Sequence, residues 1–240
     1  MRIAALVSVA LATFAGEAAA AAGACGTGMW LEPAATPLPR DGRVLLEASG
    51  DVELVKAALP HVYFATSAGL IQARSPHVVE GGRLQVLLEP MYPLPPSESV
   101  HLQFGDDTLD DTLGRQAFTT SDGFTPQGLA WRAAPKVVRH VEESSNKGDG
   151  EHAIEVRVPL TDKSGAKSPA AWVLATIAFG GRTDHVIEHV SRDGTIDIGT
   201  IGCHSVYFVD RAGARTVTLT AISASGEEAS APAPITLRFD

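Results

Sequence analysis

Glu151-His-Ala-Ile-Glu-Val-Arg-Val-Pro-Leu160 places Ile154, Val156, Val158 and Leu160 on one side of an extended chain and Glu155 and Arg157 on the other. Successive side chains of a strand point to opposite faces, so this period of two predicts a strand with one face in a core and one in water. The pattern extends in both directions. Ala171-Trp-Val-Leu-Ala-Thr-Ile-Ala178 is apolar on both faces, as a central strand is. Arg215-Thr-Val-Thr-Leu-Thr-Ala221 alternates threonine with Val217 and Leu219, and Ile235-Thr-Leu-Arg-Phe239 closes the chain in the same style. Upstream, strands are predicted over 43–48, 61–65, 83–89, 100–104 and 114–120, separated by Asp41-Gly42, Ser49-Gly50, Gly81-Gly82 and Pro93-Leu-Pro-Pro96. Only Val52 to Leu59 suggests helix, one short piece ended by Pro60.

Short strands at this spacing predict an all-β fold made of two antiparallel β-sandwich domains in tandem. The predicted division is a first sandwich over 27–120, a linker over 121–128 and a second sandwich over 129–240. The linker Ser-Asp-Gly-Phe-Thr-Pro-Gln-Gly is short, which places the second domain close to the first. Trp172, in the most apolar strand, is expected in the second core with the Ile154/Val156/Val158 and Val217/Leu219 faces.

The beginning of the chain reads as a leader. Met1-Arg2, an apolar run from Ile3 to Ala15 and the site Ala22-Gly23-Ala24 have the anatomy of a secretory signal peptide over residues 1–24. Export leads to an oxidising compartment, and the chain's two cysteines, Cys25 and Cys203, are expected to pair there. An alternative is a lipoprotein anchored through Cys25, although Ala22 stands where such signals usually carry a large aliphatic residue. No apolar run after the leader is long enough to cross a bilayer as a helix. The net charge of −9 and the lack of a basic cluster argue against nucleic acid as a partner.

A family resemblance accompanies this pattern. Leu87-Leu-Glu-Pro-Met-Tyr-Pro-Leu-Pro-Pro96, followed by Val100-His-Leu-Gln-Phe104 and Phe118-Thr-Thr120, resembles the end of a bacterial Ig-like domain of the S-layer type. Ile198-Gly-Thr-Ile-Gly-Cys203, with Arg215-Thr-Val-Thr-Leu-Thr-Ala-Ile222 and a turn before the last strand, resembles fibronectin type III-like modules of envelope proteins. The resemblance implies a fold and a periplasmic or extracellular setting, and it implies no catalytic residue.

Two clusters invite chemistry. His185-Val-Ile-Glu-His189 matches H-x-x-E-H, in which two histidines one helical turn apart hold zinc and the glutamate activates water. In a domain of strands, His185 and His189 would face one way and Glu188 the other, so the match is expected to be fortuitous. Asp106, Asp107, Asp110 and Asp111 offer carboxylates to calcium but lack EF-hand spacing, and a solvated turn is the plainer reading. No G-x-S-x-G elbow or phosphate loop occurs. The expected function is non-enzymatic, without cofactor: an exported binding or structural protein of the bacterial envelope whose partner is an envelope protein or glycan. The alternative is a zinc-dependent accessory hydrolase or metalloprotein using His185, Glu188 and His189.

Overall fold

The computed structural model describes residues 28–50, 52–80, 83–105, 109–111, 116–143, 151–165, 169, 171–201, 204–205 and 213–239. Their strands are β1 Gly28–Pro33, β2 Val44–Ser49, β3 Val62–Thr66, β4 Gly69–Glu80, β5 Leu84–Pro90, β6 Ser99–Phe104, β7 Ala117–Thr119, β8 Ala130–Trp131 and β9 Lys136–Glu143. They continue as β10 Glu151–Arg157, β11 Leu160–Thr161, β12 Ala171–Phe179, β13 Arg182–His189, β14 Thr195–Ile201, β15 His204–Ser205, β16 Gly213–Ser223, β17 Glu228–Ser230 and β18 Ile235–Phe239. One α-helix, α1 Val52–Ala58, buries Val55 and Ala58 and gives way to a 3-10 turn, Leu59–His61. Glu53 in its first turn and Lys56 in its last suit the helix dipole. The protein is all-β, and its paired strands run antiparallel. No helix among the described residues is long and apolar enough to cross a membrane.

The first half forms one sheet in the order β1-β2-β5-β4-β3-β6-β7. The long strand β4 serves two neighbours: its beginning pairs with β3 and its remainder with β5, with an irregularity between Arg74 and His77. The two parts of the sheet share one core, with Val44, Leu46, Val86 and Leu88 from one part and Val62, Phe64, Leu102 and Phe104 from the other. Among the described residues β1 has a strand neighbour on one side only, and the Gln116 side chain bonds its other side. Its Oε1 accepts from Leu31 N–H at 3.2 Å, and its Nε2 donates to the Met29 carbonyl at 3.4 Å.

The second half packs the sheet β15-β14-β10-β9 against the sheet β13-β12-β16-β17, with β18 also paired to β16. The predicted faces meet there. Ile154, Val156, Val158 and Leu160 share a core with Val217 and Leu219, joined by Val173, Ala175, Ile177, Ile196 and Ile198.

Trp172 departs from expectation. It sits with Ile187, Ile222 and Ala224 in the core of the first half. The alternation explains this: Val173 and Ala175 point into the second core, so Trp172 must point out of it. The first half covers that outward face, which is why β12 is apolar on both sides. A pattern apolar on both faces says that two neighbours exist without saying which neighbours they are. A buried tryptophan covers about 150–250 Å², so this residue alone is a large apolar contribution to the joint.

Polar contacts complete the join. Arg43 N–H donates to the Ala224 carbonyl at 2.7 Å, and His77 Nε2 lies 3.0 Å from Glu228. The buried Arg43 guanidinium pairs with Glu89 and lies beneath the turn at Gly226. Gly226 has φ +93°, and a Cβ there would overlap that guanidinium, so both backbone and space call for glycine. The connecting segment is held at both ends. Thr125 N–H and Oγ1 both donate to Asp41, at 2.8 and 2.9 Å, while Gly128 and Leu129 N–H donate to Glu227 at 2.6 and 3.1 Å.

Candidate functional site

The histidine–glutamate cluster lies on β13, an edge strand whose one hydrogen-bonded strand neighbour among the described residues is β12. An extended strand advances about 3.3 Å per residue, so residues four apart have Cα atoms separated by roughly 13 Å. Two imidazoles anchored that far apart cannot close on one ion at about 2.0–2.1 Å each. A helix would have put them on one face a single turn apart.

Each of the three side chains has its own surroundings. His185 is exposed, and its Nδ1 lies 3.1 Å from Thr176 Oγ1 on the neighbouring strand. His189 turns to the first half: Nδ1 is 3.4 Å from Glu32 Oε1, and Nε2 is 3.3 Å from the Ala34 carbonyl. Its ring meets Trp172 edge-on, with centroids 6.2 Å apart. Glu188 is half-buried. Removal from water, with Glu47 nearby, pushes its carboxyl up to about 8, and Arg83 offsets only part of that rise. Burial also raises Glu32, opposed by His189 and assisted by Glu47.

The residues that organise this place were not singled out in the sequence. Glu47 and Gln85 face each other across the β2–β5 register, both buried within otherwise apolar runs. Glu47 accepts from Arg83 Nη1 at 3.0 Å and from Gln85 Nε2 at 2.6 Å. Gln85 then reaches across to β13. Its Nε2 donates to the Ile187 carbonyl at 2.8 Å, and its Oε1 accepts from Ile187 N–H at 2.8 Å. One side-chain amide thus supplies the donor and acceptor that an adjacent strand would have offered the edge of β13. The available signal was a polar residue inside Leu84-Gln-Val-Leu-Leu88 and another inside Val44-Leu-Leu-Glu-Ala48. Such a residue must find a partner when buried.

The cluster therefore joins Glu32, Glu47, Arg83 and Gln85 of the first half to Ile187, Glu188 and His189 of the second. Chemically it is an acidic patch containing one guanidinium, buried at Glu47 and Gln85 and open to water at Glu32. Of the acidic run, Asp106 and Asp107 lie outside the described residues, as do Cys25 and Cys203. Asp110 Oδ1 accepts from Phe104 N–H at 2.6 Å, the work of a turn-forming aspartate, and Asp111 is exposed. No group of three or more metal-ligating side chains converges among the described residues.

No family model matches the chain, and no curated protein matches it. Among solved structures it is similar to the FN1–FN3 domains of chicken CNTN1, with 14% identity and a TM-score of 0.27, covering 88% of this chain and 64% of that one. It is also similar to a pullulanase from Anoxybacillus sp. LM18-11 solved with maltotriose, at 8% identity and a TM-score of 0.26, over 83% of this chain. A type I pullulanase from Bacillus subtilis str. 168, solved with maltose, gives 8% identity and 0.24 over 84% of this chain. The chain spans less than two thirds of each of these structures, about a quarter in the case of the pullulanases.

Proposed function

We propose that the chain is a non-enzymatic binding or structural protein of the bacterial cell envelope, exported through the leader at residues 1–24. In this reading an Ig-like domain of the S-layer type, 27–120, is joined through 121–128 to a fibronectin type III-like domain, 129–240. The observation that supports it is the use made of the most reactive-looking side chains. His189 turns to the first half, where it meets Glu32 and the Ala34 carbonyl, Glu188 lies on the opposite face of β13 in register with Val173, and His185 stands apart on Thr176. Polar groups spent on holding two modules in fixed relation suit a protein that presents a surface.

Such a surface exists around Arg40. Arg40 Nε donates to the Leu94 carbonyl at 2.8 Å, and its guanidinium lies 5.0 Å from the centre of the Phe124 ring. Met91, Tyr92 and Phe124 stay exposed, Tyr92 by 68%. Exposed aromatic and methionine side chains beside an arginine are the composition of a contact surface for a protein or a glycan.

The test of the non-enzymatic reading is metal content after purification from unsupplemented medium, alongside assays for hydrolysis of peptide, ester and glycosidic bonds. Zinc well below one equivalent and no turnover are expected. Stoichiometric zinc that disappears in His185→Ala or His189→Ala would overturn it and favour the zinc hydrolase.

Export further predicts a Cys25–Cys203 disulfide, which would fasten the beginning of the mature chain to the second module. Peptide mapping without reduction should recover the linked pair. Recovery of Cys25 carrying a lipid, or of two free thiols, would count against it.

A further inference from the structure

Two rims of the sheets are occupied by side chains: Gln116 bonds the free side of β1, and Gln85 bonds β13 through Ile187. The strand β9, Lys136–Glu143, is a third rim and differs from both. It ends the sheet β15-β14-β10-β9, and among the described residues its hydrogen-bonded strand neighbour is β10 alone. Every side chain from Lys136 to His140 is exposed. Val137 stands opposite Val156, which is fully buried, yet Val137 is 41% exposed. Directly opposite residues share a face of the sheet, so Val137 lies on the core side and lacks cover on its outer flank. Val138, 45% exposed, is the extra residue where the register between β9 and β10 slips.

The charges along β9 are ordered. Lys136 and Arg139 come first, Glu142 and Glu143 last. Arg139 pairs with Glu155 of β10. The two ends of the strand have no such match in the register. Lys136 stands opposite Arg157, base against base, and Glu143 stands opposite Glu151, acid against acid. Like charges directly opposite each other are unfavourable. Each end of β9 therefore calls for the opposite charge from its open side.

We propose that β9 pairs antiparallel with β9 of a second copy of the chain, so that two second-module sheets join edge to edge about a two-fold axis. Such an axis sets one residue opposite itself. With His140 at the axis and Val138 again the extra residue, Arg139 stands opposite Val141, Val137 opposite Glu142 and Lys136 opposite Glu143 of the other copy. The second strand thus supplies the acid that Lys136 lacks and the base that Glu143 lacks. It also covers the outer flank of Val137 and pairs the open backbone of the rim. An edge lysine deters indiscriminate strand addition, and here it admits a strand that brings an acid to that position. Each copy spends its β9 in the pairing, so assembly closes at two.

The experiment is sedimentation equilibrium on the full chain, from about 1 to 100 μM. The unmodified chain should pass from monomer to dimer across this range and go no further. Lys136→Glu and Glu143→Lys should each raise the dimer Kd by roughly tenfold or more, because both junctions then set like charges opposite each other. An equimolar mixture of the two variants should restore the dimer, because each junction again joins a lysine to a glutamate. A monomer throughout the range, a dimer insensitive to both reversals, or a mixture no tighter than the separate variants would each overturn the proposal. Amide exchange provides a check that needs no variant. The β9 backbone of the unmodified chain should gain protection as concentration rises, while β13 should not; equal behaviour of the two strands would also overturn it.

Discussion

Gln85→Leu is expected to destabilise the protein by about 2–6 kcal/mol, at about 1–3 kcal/mol for each of the two buried polar groups left without a partner. Leucine is close to glutamine in volume, so packing is nearly preserved and the loss isolates hydrogen bonding. Ile187 N–H and C=O would both lose their partner, and Glu47 would lose one of its donors. Gln85→Glu should also be damaging. A carboxylate can accept from Ile187 N–H, but it meets the Ile187 carbonyl and Glu47 with oxygen where Gln85 had offered N–H. Equilibrium unfolding in urea, with the Ile187 amide followed by NMR, would measure both. A change below about 0.5 kcal/mol for Gln85→Leu, the size of an ordinary surface substitution, would mean that the clasp contributes nothing.

Val156→Asp is the second large effect. Val156 is fully buried, opposite Ile196 on β14 and Val137 on β9. An unpaired carboxylate in that core should cost at least about 3 kcal/mol, and the second module should unfold. The consequence for the first module follows from Trp172. That core is closed by Trp172, Ile187 and Ile222, which belong to the second module, and would be laid open when their sheet is lost. Limited proteolysis should therefore degrade residues beyond about 128 rapidly and the first module more quickly than in the unmodified chain. A fragment ending near 121–128 that resists as well as the intact chain would show that the first module does not need its cover.

The strands were legible because period two is a local property. Val156 and Ile154 declare their side of the sheet within ten residues, and Thr216, Thr218 and Thr220 declare theirs. The joint was less legible because its partners are distant in the chain. Gln85 and Ile187 are 102 residues apart, and nothing around either one names the other. Trp172 was placed in the wrong core for the same reason: its strand reads alike whichever module covers its outer face. The H-x-x-E-H spacing shows the reverse case, a sequence pattern whose chemistry depends on a helical turn and lapses on an extended strand. The chain rule that exposes it, alternation of faces, was available from the residues alone. The clasp of Ile187 by Gln85 was not.

Gln116 at β1 and Gln85 at β13 point to one more consequence. A strand at the rim of a sheet is an invitation for another chain to add itself, and repetition of that step makes fibres. In each case a glutamine amide already sits where the newcomer's first peptide group would have to go. The molecule thus carries its own stopper at two of its rims. Because both side chains are neutral, this protection against polymerisation is one that salt does not screen, unlike that of a charged residue at an edge.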